Sequence, residues 1–564
     1  MNKYLQYKPH ERKIAYFSME IGIGPELPVY SGGLGVLAGD TLKSFADLKT
    51  PVVGVTLLSE KGYFHQEIDD NGRQVEIPVE WDHTRVMTLL DEKITVMIEG
   101  RTVMVQAWVY ELSGITGFSI PILFLDTNIE TNHETDRSLT SFLYGGDARY
   151  RLKQEVILGI GGVRMLQVLD HDNLEVYHMN EGHSALLVLE LMDRFGRDLK
   201  RVRELCVFTT HTPVPAGHDR FDVELVKSVL TNYCNPDNLR HDHIIDNENR
   251  LNMTYLALYH SDYINGVAKK HAETSREMFP QYRIDAITNG IHPTTWASDA
   301  MAKVFDRYIP AWRMDPYCLR NALNIPLAEI WTAHMKAKKT LVDFVNTNCN
   351  SNLAHDVITI GYARRATPYK RPDLLFSDLD RLISIAEHVG KFQIIYGGKA
   401  HPKDEEGKSL IQKIWNLAKD LKDRITLVYI PNYDMYRAKL MISGVDLWLN
   451  TPMPPMEASG TSGMKAALNG VINFSVLDGW WAEGHIEDLT GWSIGTRHEK
   501  NGNHIDAEAE LNDLYTKLEQ TIIPKFINDP LGWQKMMAYN IALNGSFFNT
   551  QRMVSQYVTA AYIQ

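Results

Sequence analysis

Lys13-Ile14-Ala15-Tyr16-Phe17-Ser18, and after it Tyr30-Ser31-Gly32-Gly33-Leu34-Gly35-Val36-Leu37-Ala38-Gly39-Asp40, decide the fold class. The first run is apolar and rich in β-formers, so it reads as a buried strand. The second is a glycine-rich turn opening a helical pattern that runs through Leu48, and residues 51–58 read as a second strand. Strand, glycine-rich turn, helix and strand make a βαβ unit, which requires a parallel sheet. A helix starting behind glycines presents backbone N–H groups to an anion. Such a turn can equally exist only to let the helix pack close to the sheet.

Working outward, residues 75–79, 93–98, 101–110 and 120–126 read as strands joined by hairpins, expected as an insertion or a β-rich lobe. A helix is expected over 152–168. A strand at 175–179 ends in Asn180-Glu181-Gly182-His183 and is followed by a helix over 184–195. Another strand at 206–209 ends at His211-Thr212-Pro213. Polar residues at the carboxyl ends of successive parallel strands mark where open α/β sheets bind ligands, which singles out His183 and His211. Asn289-Gly290 followed by His292-Pro293 is a strong turn signal and a candidate domain boundary. Beyond a helical stretch to about 350 the pattern restarts, with strands at 357–362, 392–396, 425–430, 445–449 and 471–476 and helices between them. Residues 508–522 and 530–564 read as helical. The expectation is α/β: two Rossmann-like, doubly wound domains facing each other across a cleft. The first covers 1–290 with its β-rich insertion and the second 291–540, with 541–564 a terminal helix that is a candidate to pack back on the first.

A chain of 564 residues is too long for one core, and its net charge of −12 argues against nucleic acid as the partner. A neutral polymer, or a small anion met in a local basic pocket, stays allowed. The four cysteines, Cys206, Cys234, Cys318 and Cys349, are far apart, so neither a metal site nor a disulfide framework is expected. The amino-terminal stretch is charged and lacks an apolar core of the signal-peptide kind, and the apolar runs are too short to span a bilayer. Cytoplasmic localisation is the default, with no membrane partner.

Chemistry concentrates at Glu457-Ala458-Ser459-Gly460-Thr461-Ser462-Gly463-Met464-Lys465-Ala466-Ala467-Leu468-Asn469-Gly470. A carboxylate leads into a small, hydroxyl-rich loop and then a short helix, with Thr461 or Ser462 expected as N-cap and Gly470 as the stop. Lys465 reads as lying in or near the first helical turn, where the helix dipole disfavours a cation. A lysine held uncharged is a nucleophile able to form a Schiff base. The order is not that of a Walker A loop, because Lys465 lies between Met464 and Ala466. A basic cluster, Arg364-Arg365-Ala366-Thr367-Pro368-Tyr369-Lys370-Arg371, follows a strand directly, a placement that favours phosphate binding. Trp480 and Trp481 suit sugar rings or a core equally well.

Taken together, these motifs resemble the α-glucan (glycogen, starch or maltodextrin) phosphorylase family in its short form. The resemblance rests on Glu457-Ala458-Ser459-Gly460-Thr461-x-x-Met464-Lys465 with Leu468-Asn469-Gly470, on Arg365-x-x-x-Tyr369-Lys370-Arg371, and on Gly397-Gly398-Lys399-Ala400. It also rests on Gly32-Gly33-Leu34-Gly35, Thr288-Asn289-Gly290 and Ser18-Met19-Glu20, in the family's order. It implies a GT-B-type glycosyltransferase architecture with the glucan on the side of the first domain, and pyridoxal 5′-phosphate and substrate phosphate on the side of the second. It implies release of α-D-glucose 1-phosphate from the non-reducing end of an α-1,4-glucan by inorganic phosphate, with retention, the cofactor phosphate relaying a proton.

By the same matching, Lys465 would tether the cofactor as a Schiff base. Thr461, Ser462, Tyr433 and Arg364 would line it. Arg365 and Lys370 would hold substrate phosphate, aided by the Gly33 N–H. Glu457, Ser459, Gly460, Asn289, Tyr369 and His183 would hold the glucosyl unit, with His183 near the developing positive charge. Asp147 and His211 would lie on the glucan side. The resemblance implies no metal, and family members are often homodimers. This chain departs from the long family members at Asp434, where they carry Arg, and at Arg364, where lysine is usual; both changes touch the phosphate pocket. The chain is shorter than the regulated long forms, so an enzyme without activation by AMP is expected. The rival readings are a sugar-nucleotide-dependent glycogen or starch synthase on the same scaffold, which would not need Lys465, and a non-catalytic glucan-binding homologue.

Overall fold

The computed structural model describes residues 9–214, 217–495 and 506–563. The chain divides into two compact units: the described parts of Met1–Phe64, Pro78–Thr288 and Met553–Gln564 form one, His65–Ile77 and Asn289–Arg552 the other.

The first unit is built on a nine-stranded sheet. Its centre is Ile14–Phe17, paired in parallel with Val52–Leu57 on one side and Val176–Asn180 on the other. Cys206–Thr209, Tyr263–Gly266 and Asp285–Ala286 continue the parallel ladder beyond Val176–Asn180. These strands are apolar on both faces because helices cover both. Ala15 and Phe17 join one hydrophobic cluster, and Ile14 and Tyr16 the other. The stretch expected as an insertion or separate lobe is mostly neither. Ser119–Asp126 pairs in parallel with Val52–Leu57, and Arg101–Ser113 and Thr88–Ile98 extend the same sheet in antiparallel fashion. Only Gln74–Ile77 leaves, to form a hairpin with His65–Ile68 that belongs to the other unit. The glycine-rich turn opens the helix Gly33–Asp47. A Cβ on Gly39 would stand 1.9 Å from the Gly22 carbonyl oxygen, so glycine there permits the close approach of helix and chain. The expected helix over 152–168 is interrupted: α-helix at Ala148–Val156 and Gly162–Val168 flanks a π-turn at Ile157–Gly161.

The second unit carries a six-stranded parallel sheet ordered Thr426–Ile430, Phe392–Gly397, Ile358–Ala363, Leu447–Asn450, Ile472–Val476 and Gly491–Ile494. The sixth strand escaped the sequence reading because it is short and begins at Gly491, whose φ of +151° and 2.1 Å approach to the Asn473 carbonyl admit no side chain. Chain order reverses between Ile358–Ala363 and Leu447–Asn450. The carboxyl ends of these two strands therefore open the switch point where doubly wound sheets bind ligands. No helix among the described residues is long and apolar enough to cross a membrane.

Candidate active site

The segments leaving the two switch-point strands of the second unit carry the basic cluster and the Glu457 loop. Arg364 follows Ile358–Ala363 directly, and Gly398 passes against it so closely that a Cβ there would lie 1.9 Å from the Arg364 carbonyl. The Glu457 carboxylate accepts from Arg364 Nη2 at 2.7 Å and from Lys370 Nζ at 2.5 Å, and all three side chains are almost fully buried. Burial would raise the Glu457 pKa, but Arg364 and Lys370 outweigh it and hold the carboxyl below its usual range. The guanidinium of Arg364 is correspondingly stabilised by Glu457 against the burial that opposes its charge. Tyr369 lies under the Lys370 ammonium, 4.6 Å from ring centroid to nitrogen. Arg365 is exposed, and its charge adds to burial in lowering the pKa of His401.

The loop behind Glu457 is set by the turn that follows Ile472–Val476. Asp478 accepts from the Glu457 N–H at 2.8 Å and from its neighbour Gly479 at 2.9 Å, and Trp480 N–H donates to the Ser459 carbonyl at 2.9 Å. Burial lifts the Asp478 carboxyl to a pKa of about 7, against the pull of those two N–H donors and with help from the Glu457 charge. Trp480 and Trp481 are core residues, which decides between their two readings. The residue opening the next helix, Thr461–Leu468, is Gly460 with φ +86°; no side chain caps it, so neither Thr461 nor Ser462 is the N-cap. Lys465 accordingly lies in the last turn of this eight-residue helix and not in the first, and its helix dipole is favourable for a cation. What distinguishes Lys465 is burial: it is 7% exposed, with Nζ 3.9 Å from the Trp296 ring centroid. Asn469 fixes that arrangement, donating to the carbonyls of Trp296 and Lys465 at 2.9 Å each and accepting from Ser298 N–H at 2.8 Å. Trp296 was missed in the sequence, since nothing local ties it to a residue so far along the chain. Gly470, at φ +75°, ends the helix as expected.

The remaining candidates of this unit are distributed around these groups. The Ser459 hydroxyl and the Asn289 amide oxygen are buried and have no hydrogen-bond partner among the described residues. The Ser462 hydroxyl is engaged by Trp448 Nε1 at 3.2 Å, which leaves its backbone N–H as the group turned to the uncapped helix start. The Tyr433 ring packs near Gly397. Asp434 caps the helix Met435–Gly444 by accepting from Arg437 N–H at 2.8 Å and binds Arg437 Nη1 at 2.6 Å. Burial lowers Lys399 to a pKa of about 8, partly offset by Asp434 and reinforced by Arg437. Asp434 is thus wrapped in positive charge.

In the first unit the same rule operates at its own switch point, where Ile14–Phe17 and Val176–Asn180 end side by side. Glu20 folds back under the glycine-rich turn and accepts from Ser31 N–H at 2.5 Å, Ser31 Oγ at 3.1 Å and Gly32 N–H at 3.3 Å, while Tyr144 OH donates to it at 3.0 Å. A Cβ on Gly35 would collide with that carboxylate at 2.6 Å. Gly33, just above it, is exposed, with open space where a side chain would stand. His183 Nε2 lies 3.5 Å from Asp219, which also binds Arg151 at 3.0 Å, and its Nδ1 is buried without a partner among the described residues. Burial and Arg151 push the His183 pKa down to about 3, so the imidazole is neutral. His211 accepts a similar fate, lowered by burial to about 3; its Nε2 meets Asn180 Oδ1 at 2.6 Å and its N–H donates to Glu181 at 2.7 Å. Glu181 adopts φ +74°, a strained value for a non-glycine residue, directly after the strand Val176–Asn180. Asp147 is the N-cap of Ala148–Val156, accepting from Tyr150 N–H at 2.9 Å.

The family model for carbohydrate phosphorylases matches residues 20–113 and 130–491, a span that includes the Glu457–Lys465 loop, the basic cluster and both glycine-rich turns. A maltodextrin phosphorylase of Thermococcus litoralis is 36% identical, with 99% of this chain aligned to 71% of that protein. A glycogen phosphorylase of Aquifex aeolicus is 32% identical over all of this chain and 88% of its own, and one of Mycobacterium tuberculosis is 34% identical over 97% and 70%. A buried lysine eight residues after a carboxylate gripped by two cations, in an α/β chain matched along most of its length, leaves one assignment: the chain belongs to the carbohydrate phosphorylase family.

Proposed function

We propose that this chain cleaves α-1,4-glucans by phosphorolysis from the non-reducing end, releasing α-D-glucose 1-phosphate with retention, and that it holds pyridoxal 5′-phosphate on Lys465. The observation that carries this reading is the 457–465 loop. Within it a carboxylate bound by Arg364 and Lys370 is joined to an uncapped helix start and to a buried lysine. The residues suit the cofactor: Lys465 offers an amine to an aldehyde, and the uncapped N–H groups of the helix and nearby cations suit a phosphate monoester. When bound, that group supplies a phosphate whose second ionisation lies near pH 6 and which exchanges a proton with substrate phosphate.

The chain's own residues do the rest. Inorganic phosphate, held by Lys370 and Arg365, gives a proton to the glycosidic oxygen; the C1–O bond breaks and a phosphate oxygen bonds C1 on the same face. Lys370 donates to Glu457, so the incoming anion competes with that carboxylate for its ammonium. Released from part of its charge pairing, Glu457 accepts from glucosyl hydroxyls, with the unpartnered Ser459 hydroxyl and Asn289 oxygen as further contacts. His183, neutral at working pH, accepts or donates a hydrogen bond without adding charge.

Borohydride reduction of the purified holoenzyme followed by peptide mapping tests the tether. A pyridoxyl group on Lys465 is the expected result. A colourless protein that is fully active and carries no pyridoxyl group would overturn the assignment and point to a sugar-nucleotide transferase.

A further inference from the structure

The hairpin of His65–Ile68 and Gln74–Ile77 lies in sequence between two segments of the first unit, yet it is part of the second. Two four-residue strands are marginal on their own in water, so what they bind decides why they are there. Two glutamines, Gln66 and Gln74, are almost fully buried. Burying a primary amide is costly unless its hydrogen bonds are met, so an apolar side chain would be the cheaper filler. Here the amides read backbone at two places. Gln66 Nε2 donates to the Gly398 carbonyl at 2.9 Å, Gln66 Oε1 accepts from Asn432 N–H at 2.8 Å, and Asn432 Oδ1 accepts from Gln66 N–H at 3.1 Å. Gln74 pairs with both backbone groups of Ala400, Nε2 to carbonyl at 3.0 Å and N–H to Oε1 at 2.9 Å, and Gln66 Nε2 also donates to Gln74 Oε1 at 2.8 Å.

The segments so gripped adjoin the candidate site. Gly398 and Ala400 flank Lys399, and Asn432 precedes Tyr433. The same loop then passes its position on to the basic cluster: Arg364 N–H donates to the Gly397 carbonyl at 3.2 Å and Ala366 N–H to the Lys399 carbonyl at 3.0 Å. The hairpin is itself seated on the helix Glu405–Asp420, where Gly72, at φ +82°, lies so close to Trp415 that a Cβ would come within 2.6 Å. We propose that Gln66 and Gln74 are positioning residues: through two carboxamides the hairpin sets the 397–400 loop and the 432–433 turn, and with them the phosphate contacts of Arg364, Arg365 and Tyr433. This inference rests on the phosphorylase reading and names the part of the fold that tunes its phosphate side.

The test compares wild type, Gln66→Ala, Gln74→Ala and, as a control on the exposed side of the hairpin, Glu67→Ala. For each, the KM for inorganic phosphate, the KM for maltodextrin, kcat and the affinity of the apoenzyme for pyridoxal phosphate are measured well below the melting temperature. The two glutamine variants should raise the phosphate KM and weaken cofactor binding about tenfold each, the loss of one to two buried hydrogen bonds, with the maltodextrin KM within about twofold. Glu67→Ala should match wild type. Folded glutamine variants with wild-type phosphate KM and cofactor affinity, altered only in melting temperature, would reduce the hairpin to packing and overturn the inference. Should the alanine variants not fold, Gln74→Glu keeps the acceptor for Ala400 N–H and replaces the donor to the Ala400 carbonyl and Glu76 with a carboxylate oxygen; an unchanged phosphate KM there overturns it equally. A wild-type protein that releases no glucose 1-phosphate would instead refute the phosphorylase reading, and the inference with it.

Discussion

At the scale of single residues, Glu457 and its backbone partner Asp478 concentrate the site's electrostatics. Glu457 occupies Lys370, one of the two cations that the proposed reaction assigns to phosphate, so Glu457→Gln should lower the phosphate KM while cutting kcat about 10- to 100-fold through lost glucosyl contacts, as steady-state rates at varied phosphate would show. Asp478 titrates in reach of neutral pH. Its folded pKa of about 7 lies above the usual aspartate value, so the folded state binds the proton more tightly. Its contribution to stability is therefore complete below about pH 4 and declines as pH rises towards 7, by up to about 1.4 kcal/mol per pH unit. Urea unfolding across this range should show that slope in wild type and its loss in Asp478→Asn. His183 gives the opposite expectation: lowered to about 3, it contributes no limb to the pH–rate profile between pH 5 and 8, and the profile's shape should survive His183→Asn.

At the scale of elements, the second sheet is pinned by a buried charged group outside the site. Asp446, just ahead of Leu447–Asn450, binds His334 Nε2 at 2.8 Å, Lys338 Nζ at 2.5 Å and the Thr359 N–H at 2.7 Å, tying the helix Leu327–Asn348 to both switch-point strands. Burial would raise the Asp446 pKa, but Lys338 keeps it lowered. Lys338→Met leaves that carboxylate uncompensated and should cost about 3–5 kcal/mol in chemical unfolding. The sheet strands were legible because apolar runs of strand length bounded by turn residues carry their own signal, and the cluster after Ile358–Ala363 was legible because its charges are adjacent in sequence. What escaped depends on distance in the chain. Trp296 meets Lys465 from far earlier in the chain, directly and through Asn469, and the Gln66/Gln74 hairpin meets Gly398 and Ala400 more than three hundred residues on. The position of Lys465 within its helix was misjudged because the start is fixed by the left-handed Gly460, which mimics a loop residue, and not by the hydroxyls after it.

At the scale of the whole molecule, each unit recruits chain that sequence order assigns elsewhere. The closing segment from Met553 belongs to the first unit, where Tyr562 OH meets His178 Nδ1 at 2.6 Å and Tyr557 OH meets Thr209 Oγ1 and Asn265 Nδ2 at 3.1 Å each. Truncation after Arg552 would strip those partners from a buried histidine and expose the apolar faces around Phe45, so amide exchange across 14–17, 176–180 and 206–209 should accelerate, with little change in the sheet around 358–363. What the two units serve together is the reaction. Its most direct measurement is the initial rate of glucose 1-phosphate formation from maltodextrin by the cofactor-loaded protein, with and without inorganic phosphate, beside the Lys465→Ala variant. Phosphate-dependent release of α-D-glucose 1-phosphate by wild type, and none by Lys465→Ala, is the predicted result. Absence of that product from wild type, or undiminished release by Lys465→Ala, would contradict it.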